Sequence, residues 1–421
     1  MKGTFMLLNL LLFSLTFQNH LVYAQLSNYT TYTPIARYLN VSESEVPQLL
    51  AQEKILIEGN RVLTPLLTQN GQIFGGSYID IIAYKININT KDLSKNGTVT
   101  NNPAMKPYLD LLSFIQAKNS LYDLNSTFED LTTLAKENNA TNVLLSNEYK
   151  VNNIVIYLRH ADDMQNKEFI ADAIKLNSII IYEESEIKVP NNNSVEFPPI
   201  SNLVFAGDGM HTFGYTIRCT AGFWVRSRLN STSYIMTAGH CSKNGPFNPD
   251  GSVDFYHMPW GSRVAYRLIG PMAPPNMSVV DKGLISKQND NIGVIPSVRN
   301  TDDPEFPELR IYGTVDMDTV GSIVCKSGYF THVDCGEILS LDATILYADD
   351  RQYSGVVKIS HMGCEGDSGA PVFQFIEDLL PGIFITGMLT SGSITQGICA
   401  AVPIALLITD DIYILTINDF I

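Results

Sequence analysis

Three short segments carry side chains that can act together as an activated nucleophile. Thr237-Ala238-Gly239-His240-Cys241 puts an imidazole at the end of a predicted strand, and Val279-Val280-Asp281-Lys282-Gly283-Leu284-Ile285 puts a carboxylate inside an apolar, β-type run. Gly363-Cys364-Glu365-Gly366-Asp367-Ser368-Gly369-Ala370-Pro371 puts a hydroxyl in a glycine-rich turn. A serine hydroxyl is a poor nucleophile at its ordinary pKa and needs a base within hydrogen-bond reach, itself oriented by a third group. His240 suits the base because imidazole titrates near neutrality. Asp281 suits the orienter: apolar flanks imply burial, and a buried carboxylate needs a partner such as an imidazole N–H. The glycines around Ser368 let the backbone turn tightly enough for the Gly366 and Ser368 N–H groups to converge on one oxyanion. One such donor is worth about 3–4 kcal/mol in acyl transfer. Each segment alone has a plainer reading, as a turn, a packed core histidine and a strand-edge aspartate. Their joint occurrence in the order His, Asp, Ser is what points to acyl-transfer chemistry.

Short strands at regular intervals must position these groups. RCTAGFWV, SYIMTA, VVDKGLIS, GSIVCKS, GVVKIS, APVFQF, GIFITGMLT and ICAAV are separated by Gly, Pro, Asn and Asp clusters, a pattern that predicts an all-β sandwich or barrel. Pro403, followed by Ile404, Leu406 and Leu407, opens a predicted terminal helix. Upstream the pattern is mixed. Ser42 to Ile57 reads as a capped helix, SYIDIIAYKININT after Gly75-Gly76 as a strand, Asn153 to Leu158 as a strand, Asp163 to Leu176 as a helix and Ser178 to Tyr182 as a strand. His160 and Asp162-Asp163 read as surface or cap residues. Between the halves, VPNNNSVEFPPI reads as an exposed linker.

The first 24 residues read as a signal peptide. Lys2 gives the positive start, Phe5 to Phe17 is mostly apolar, and Val22-Tyr23-Ala24 is a small-x-small cleavage pattern. That run is shorter than the roughly 20 residues a spanning helix needs, and the apolar Ala400 to Ile408 is predicted to pack on a core. Export frames the cysteines: Cys219, Cys241, Cys325, Cys335, Cys364 and Cys399 all lie in the C-terminal half. An even number in an oxidising compartment favours three bridges over thiols, with the pairing open. His332 between Cys325 and Cys335 suggests a metal only weakly, since no CxxC pair occurs; no metal or other cofactor is expected. Asn-x-Ser/Thr sequons at Asn28, Asn40, Asn96, Asn125, Asn139, Asn192, Asn230 and Asn276 are usable on a secreted glycoprotein surface. The 421 residues predict two or three units. A net charge of −15 argues against nucleic acid as the main partner.

On these motifs the chain resembles the chymotrypsin-fold serine endopeptidases, and within them the secreted streptogrisin and α-lytic branch with a long pro-region. The resemblance spans the chain after residue 24. It is carried by IRCTAGFWV before TAGHC, GSIVCKSGYFTHVDCGEI, GCEGDSGAPV and ITGMLTSGS, and in the first half by IFGGSYIDIIAYKI. It implies an α+β pro-region over 25–200, acting as folding assistant and inhibitor, and over 201–421 two antiparallel six-stranded β-barrels with a C-terminal helix. His240 would be the general base, Asp281 its orienter and Ser368 the nucleophile, with Gly366 and Ser368 N–H as the oxyanion hole. Ser391-Gly392-Ser393 would pair with an extended substrate, and Met362 would lie near the specificity-pocket floor. The implied bridges are Cys219–Cys241, Cys325–Cys335 and Cys364–Cys399, and Lys326 would serve the Asp367 carboxylate. The implied protein is a secreted monomeric endopeptidase acting on polypeptides, with its own pro-region as partner and no membrane association after signal removal. Three departures stand out. Ala370 replaces the usual second glycine of GDSGG, Cys364 sits four residues before Ser368, and Lys326 replaces the branch's usual arginine. With Ala370 as its mark, the alternative is an inactive homologue retained as a secreted binding module.

Overall fold

The computed structural model describes residues 31–182, 202–212, 218–243, 245–260, 262, 267–349, 351–360, 362–364, 366–376, 379–390 and 399–420. The predicted signal peptide, the linker, Asn28, Asn192, Glu365 and Ser391-Gly392-Ser393 lie outside the described residues.

In the N-terminal unit, α1 (Thr33–Leu39) is followed by a 3₁₀ turn and α2 (Val46–Gln69). Ser42 and Glu45 start this segment by capping each other, with the Ser42 N–H donating to Glu45 at 3.0 Å. The sequence suggested a helix over Ser42 to Ile57; the structure carries it on through Gly59, Asn60 and Pro65, which are poor helix residues. Burial overrides them: Leu56, Gly59, Leu63 and Leu67 continue one apolar stripe to the end of α2. The run read as one strand is a hairpin of β1 (Phe74–Asp80) and β2 (Lys85–Thr90). Its turn is closed by the Ala83 N–H donating to the Asp80 carboxylate at 2.8 Å, with Tyr84 at φ 53. Strand β3 (Leu112–Gln116) adds in parallel.

A second layer follows: α3 (Leu121–Glu137), β4 (Val143–Glu148), β5 (Asn153–Leu158), α4 (Lys167–Lys175) and β6 (Ile179–Tyr182). Helix α3, absent from the sequence reading, carries a Ser120–Asp123 capping box. Asp162 is not a surface residue; it is buried and accepts from Arg159, Asn142 and Gln165. His160 stacks on Tyr182 with ring centroids 4.0 Å apart.

Beyond residue 202 the chain is almost all β. Strands β7 (Leu203–Ala206), β8 (Gly209–Thr212), β9 (Arg218–Thr220), β10 (Phe223–Ser227), β11 (Ser233–Thr237), β12 (Val253–Met258), β13 (Arg267–Met272) and β14 (Gly283–Ser286) come first. Next are β15 (Gly293–Arg299), β16 (Glu308–Thr314), β17 (Ile323–Gly328), β18 (His332–Leu346), β19 (Gln352–Ile359), β20 (Pro371–Phe375), β21 (Gly382–Leu389) and β22 (Cys399–Pro403). The chain closes with α5 (Ile404–Leu407) and β23 (Ile412–Ile414).

The strands form two sheets, of which one contains a six-stranded ring. The first is an eight-stranded path, β23-β10-β11-β14-β13-β12-β8-β9, with no closing pair among the described residues. The second contains a closed antiparallel ring, β18-β17-β20-β21-β22-β19, extended from β21 by β16, β15 and β7. Two added pairs, β16–β21 and β7–β15, are parallel. The expected terminal helix is the single turn α5, because Thr409 to Asp411 hand the chain on to β23, which pairs with β10. Ala400 to Val402, Ile404 and Leu407 are buried, as a core-packing segment requires. Among the described residues no helix is long and apolar enough to cross a membrane.

The N-terminal unit is joined to the ring by main-chain pairing. β4 runs antiparallel to the end of β18, from Ala343 opposite Ser146 to Leu346 opposite Val143. Side chains reinforce the seam: Lys150 pairs with Glu337 at 2.6 Å, and the Lys358 ammonium lies 4.5 Å from the Tyr157 ring centre. Glu53 on α2 is buried there, beside a cavity of 280 Å³, and accepts the Ile323 N–H. Burial pushes its carboxyl up to about 8, against the smaller opposing effect of that hydrogen bond. A carboxyl that holds its proton more tightly when folded stabilises fully below the unfolded value and loses that contribution as pH rises to the folded one. Stability of the assembled chain should therefore decline between roughly pH 4.5 and 8. Glu53→Gln, which keeps an acceptor for Ile323, should flatten this slope in thermal unfolding of the Ser368→Ala chain. An unchanged slope would mean that Glu53 is ionised or hydrated in solution.

Candidate active site

His240 stands on a 3₁₀ turn, Gly239–Ser242, directly after β11. The turn is fixed from both sides. Cys241 is bonded to Cys219, and Gly239 lies against the Lys282 carbonyl, where a Cβ would come within 2.8 Å. Asp281 lies in the segment before β14, which pairs with β11 and so brings the two residues together. The grip on Asp281 is two-pronged: the His240 N–H donates to Oδ1 at 2.9 Å, and His240 Nδ1 lies 2.6 Å from Oδ2. Such a pair of contacts fixes both the ring plane and its tautomer, directing Nε2 away from the carboxylate. Asp281 is fully buried. Its apolar flanks do not explain that burial, since Val279 is 73% exposed; the contacts to His240 and Thr390 do. Burial pushes its carboxyl up, but the His240 charge and the hydrogen bonds from His240 and Thr390 outweigh it and hold the carboxyl below the usual carboxylate range.

Thr390 was missed in the sequence reading. Its hydroxyl donates to Asp281 Oδ2 at 2.6 Å from the end of β21. The only signal was its place in ITGMLTSGS, directly before Ser391-Gly392-Ser393.

Ser368 sits on the turn between Cys364 and β20 and is 4% exposed. Its carbonyl accepts from Thr220 at 2.9 Å. Gly369 has φ 90, and a Cβ there would lie 2.1 Å from Thr237 Oγ1 and 3.1 Å from the Ala238 nitrogen. Only glycine fits, and its fit presses the serine turn onto the strand end that leads to His240. Among the described residues no hydrogen bond joins Ser368 Oγ to His240 Nε2; such contacts are often long without substrate and tighten when it binds. Around Ser368, the N–H groups of Asp367, Gly369 and Ala370 donate to backbone carbonyls, whereas among the described residues those of Gly366 and Ser368 do not. These two N–H groups flank the hydroxyl, with Gly366 held at φ 79 against the Phe330 ring.

Ala370 is fully buried, and its φ is not positive, so the backbone there does not require glycine. Asp367 and Lys326 are both wholly buried, with Lys326 Nζ 2.9 Å from Asp367 Oδ2. The carboxylate also accepts from the Phe330 and Thr331 N–H groups at 2.8 and 3.3 Å. The other bridges are Cys325–Cys335, across β17 and β18, and Cys364–Cys399, which ties the serine turn to β22. Met362 is 1% exposed and packs within an apolar cluster that includes Val324, Cys364, Val372 and Leu389. His332 Nδ1 lies 2.7 Å from the Asp302 carboxylate, which accepts from it, and the ring stacks on Trp260. Cys219, His240 and Cys241 are the one group among the described residues whose donor atoms would reach a common ion. The two sulfurs are spent in a disulfide, so this donor set does not fit a metal.

No protein-family model matches the chain. Over 183 residues it is 30% identical to streptogrisin-D of Streptomyces griseus, covering 44% of this chain and 41% of streptogrisin-D. The match thus spans about two-fifths of that relative's length. Over 158 residues it is 27% identical to serine protease 2 of Streptomyces fradiae, covering 37% of this chain and 80% of that protein. Among solved structures, Thermobifida fusca protease A aligns with 24% identity and a TM-score of 0.37 over 51% of this chain and 99% of its own. Over about two-fifths of its length the chain is thus similar to bacterial serine proteases.

Proposed function

We propose that the chain is a secreted serine endopeptidase made as a precursor, in which residues 25–200 form a removable pro-region. The observation that carries this reading is the oriented His240–Asp281 pair, with the Ser368 turn and its two undonated N–H groups packed against the same strand end. In this mechanism the Ser368 hydroxyl attacks a peptide carbonyl while His240 Nε2 takes its proton. The N–H groups of Gly366 and Ser368 receive the oxyanion, and Asp281 steadies the imidazolium. His240 returns the proton to the leaving amine, and a water activated by the same nitrogen then frees the acid from the acyl-enzyme. Homologous proteases imply polypeptide substrates. The buried Met362 favours neutral or apolar residues over Lys or Arg before the cut.

The pro-region reading is supported by the strand that β4 adds to β18 and by the ion pairs along the seam. A docked partner of this kind suits a slow-folding, non-local β topology. The test is labelling of the secreted chain with a serine-reactive fluorophosphonate, together with its amino-terminal residue, for the unmodified chain and for Ser368→Ala. Labelling that disappears in Ser368→Ala, with unprocessed material accumulating, is the expected result. Correctly folded, unmodified protein that takes no label would establish the binding-module alternative instead.

A further inference from the structure

Between β18 and β19 the Tyr347 N–H donates to the Arg351 carbonyl at 2.9 Å. The described residues of this hairpin tip touch two connections of the first sheet, after His240 and before β14. The Asp349 carboxylate accepts from Lys243, three residues past His240. Arg351 Nη1 lies 4.0 Å from Met277 Sδ, and Met277 in turn packs on Gly239, where a Cβ would be 3.0 Å from its Cγ. Arg351 is the centre of these contacts. Its Nε lies 2.9 and 3.0 Å from the two Asp349 oxygens, and its Nη1 donates to the Tyr353 hydroxyl at 3.1 Å. Its guanidinium lies 4.7 Å from the Tyr347 ring centre and 5.8 Å from that of Tyr353. The two rings meet edge to face at 5.4 Å and are 4% and 1% exposed. Burial first, and then the Asp281 charge, push both phenols above their ordinary range.

We propose that Arg351 is a positioning residue for the His240–Asp281 pair: it locks the Tyr347–Tyr353 ring pair and ties the hairpin tip to the turn that bears His240. The inference rests on the reading of His240 as general base. A planar guanidinium does this because Nε meets both Asp349 oxygens while Nη1 reaches Tyr353 and the plane lies over aromatic faces. The tie matters because a small displacement of a positioned catalytic group costs rate heavily. The strand added by β4 ends opposite Leu346, one residue before Tyr347, so the docked N-terminal unit braces the same hairpin.

The test uses the full chain carrying Ser368→Ala and follows the low-field proton resonance of the His240 Nδ1–Asp281 hydrogen bond. Arg351→Met should lose at least about half of its intensity to solvent exchange, with the melting temperature within about 3 °C of the parent. Arg351→Lys keeps a cation but neither the planar stack nor the two-pronged grip, and should fall between the two. In the chain with Ser368 intact, fluorophosphonate labelling of Arg351→Met should slow about tenfold. A resonance that Arg351→Met leaves intact would overturn the proposal, as would a lysine variant no better than methionine. If Arg351→Met does not fold, Arg351→Lys decides alone, and an undiminished resonance overturns the proposal. Failure of the unmodified chain to label would instead sink the protease reading and leave the resonance result standing.

Discussion

Asp281→Asn is expected to slow fluorophosphonate labelling of Ser368 about 10⁴-fold while leaving the fold in place. The cause is tautomeric. The present carboxylate accepts at both oxygens, from the His240 N–H and from Nδ1. An asparagine can keep its oxygen for one donor but presents an NH₂ to the other. Imidazole then turns its lone pair toward position 281 and carries its proton on Nε2, where it cannot receive one from Ser368. The His240 N–H keeps its acceptor, and the Thr390 hydroxyl can turn to accept from the new NH₂, so the loss should fall on rate. The acid limb of stability should change as well. The Asp281 carboxyl sits below its ordinary range, so its contribution is complete above that range and is lost as pH falls through the lowered value. The asparagine variant should lack that component in an acid unfolding series. A labelling rate within tenfold of the parent would show that the pair does not orient the base.

Lys326→Met is expected to cost about 3–5 kcal/mol, because it strands the Asp367 carboxylate in a wholly buried site. For a unit of this size that is roughly 10 °C or more in melting temperature. Activity should fall with it: Asp367 holds the Phe330 and Thr331 N–H groups, and the Phe330 ring is the surface against which Gly366 turns. The informative control is Lys326→Met combined with Asp367→Leu. Removing both charges should recover much of the stability, since a buried ion pair is repaid poorly against apolar packing. Labelling should stay low, because the leucine cannot hold the Phe330 N–H. Thermal unfolding of the single and double variants checks the first half and labelling the second. A double variant as unstable as the single would show that packing, rather than the unpaired charge, sets the cost.

Much of the site was legible where a motif lies within one short window. Gly363, Gly366 and Gly369 before and after Ser368 all take positive φ, and glycine spacing alone indicated them. Strands β10, β11, β14, β17, β19, β20, β21 and β22 were also readable, because apolar runs between turn residues report a local period, whereas β12, β13, β15, β16 and β18 were not. Legibility ended where a contact crosses the chain. The run from Ser77 to Thr90 looked like one strand because alternation continues through a turn that a single aspartate closes. Helix α2 runs on past Ile57 because its poor helix formers are outweighed once Leu63 and Leu67 have a core to enter.

The residue types and their order along the chain were determined by sequence alone: an imidazole, a carboxylate and a hydroxyl, each in a local frame suited to its task. The tertiary structure alone decided which groups share a hydrogen bond. Thr390 reaches Asp281 across 109 positions, and Glu53 meets the Ile323 N–H across 270. Arg351 joins two tyrosines to the turn of His240 only because a hairpin tip of one sheet touches connections of the other. Local propensity acts over a few residues, whereas burial and electrostatics act over a few ångströms. Only the fold converts separation along the chain into distance in space.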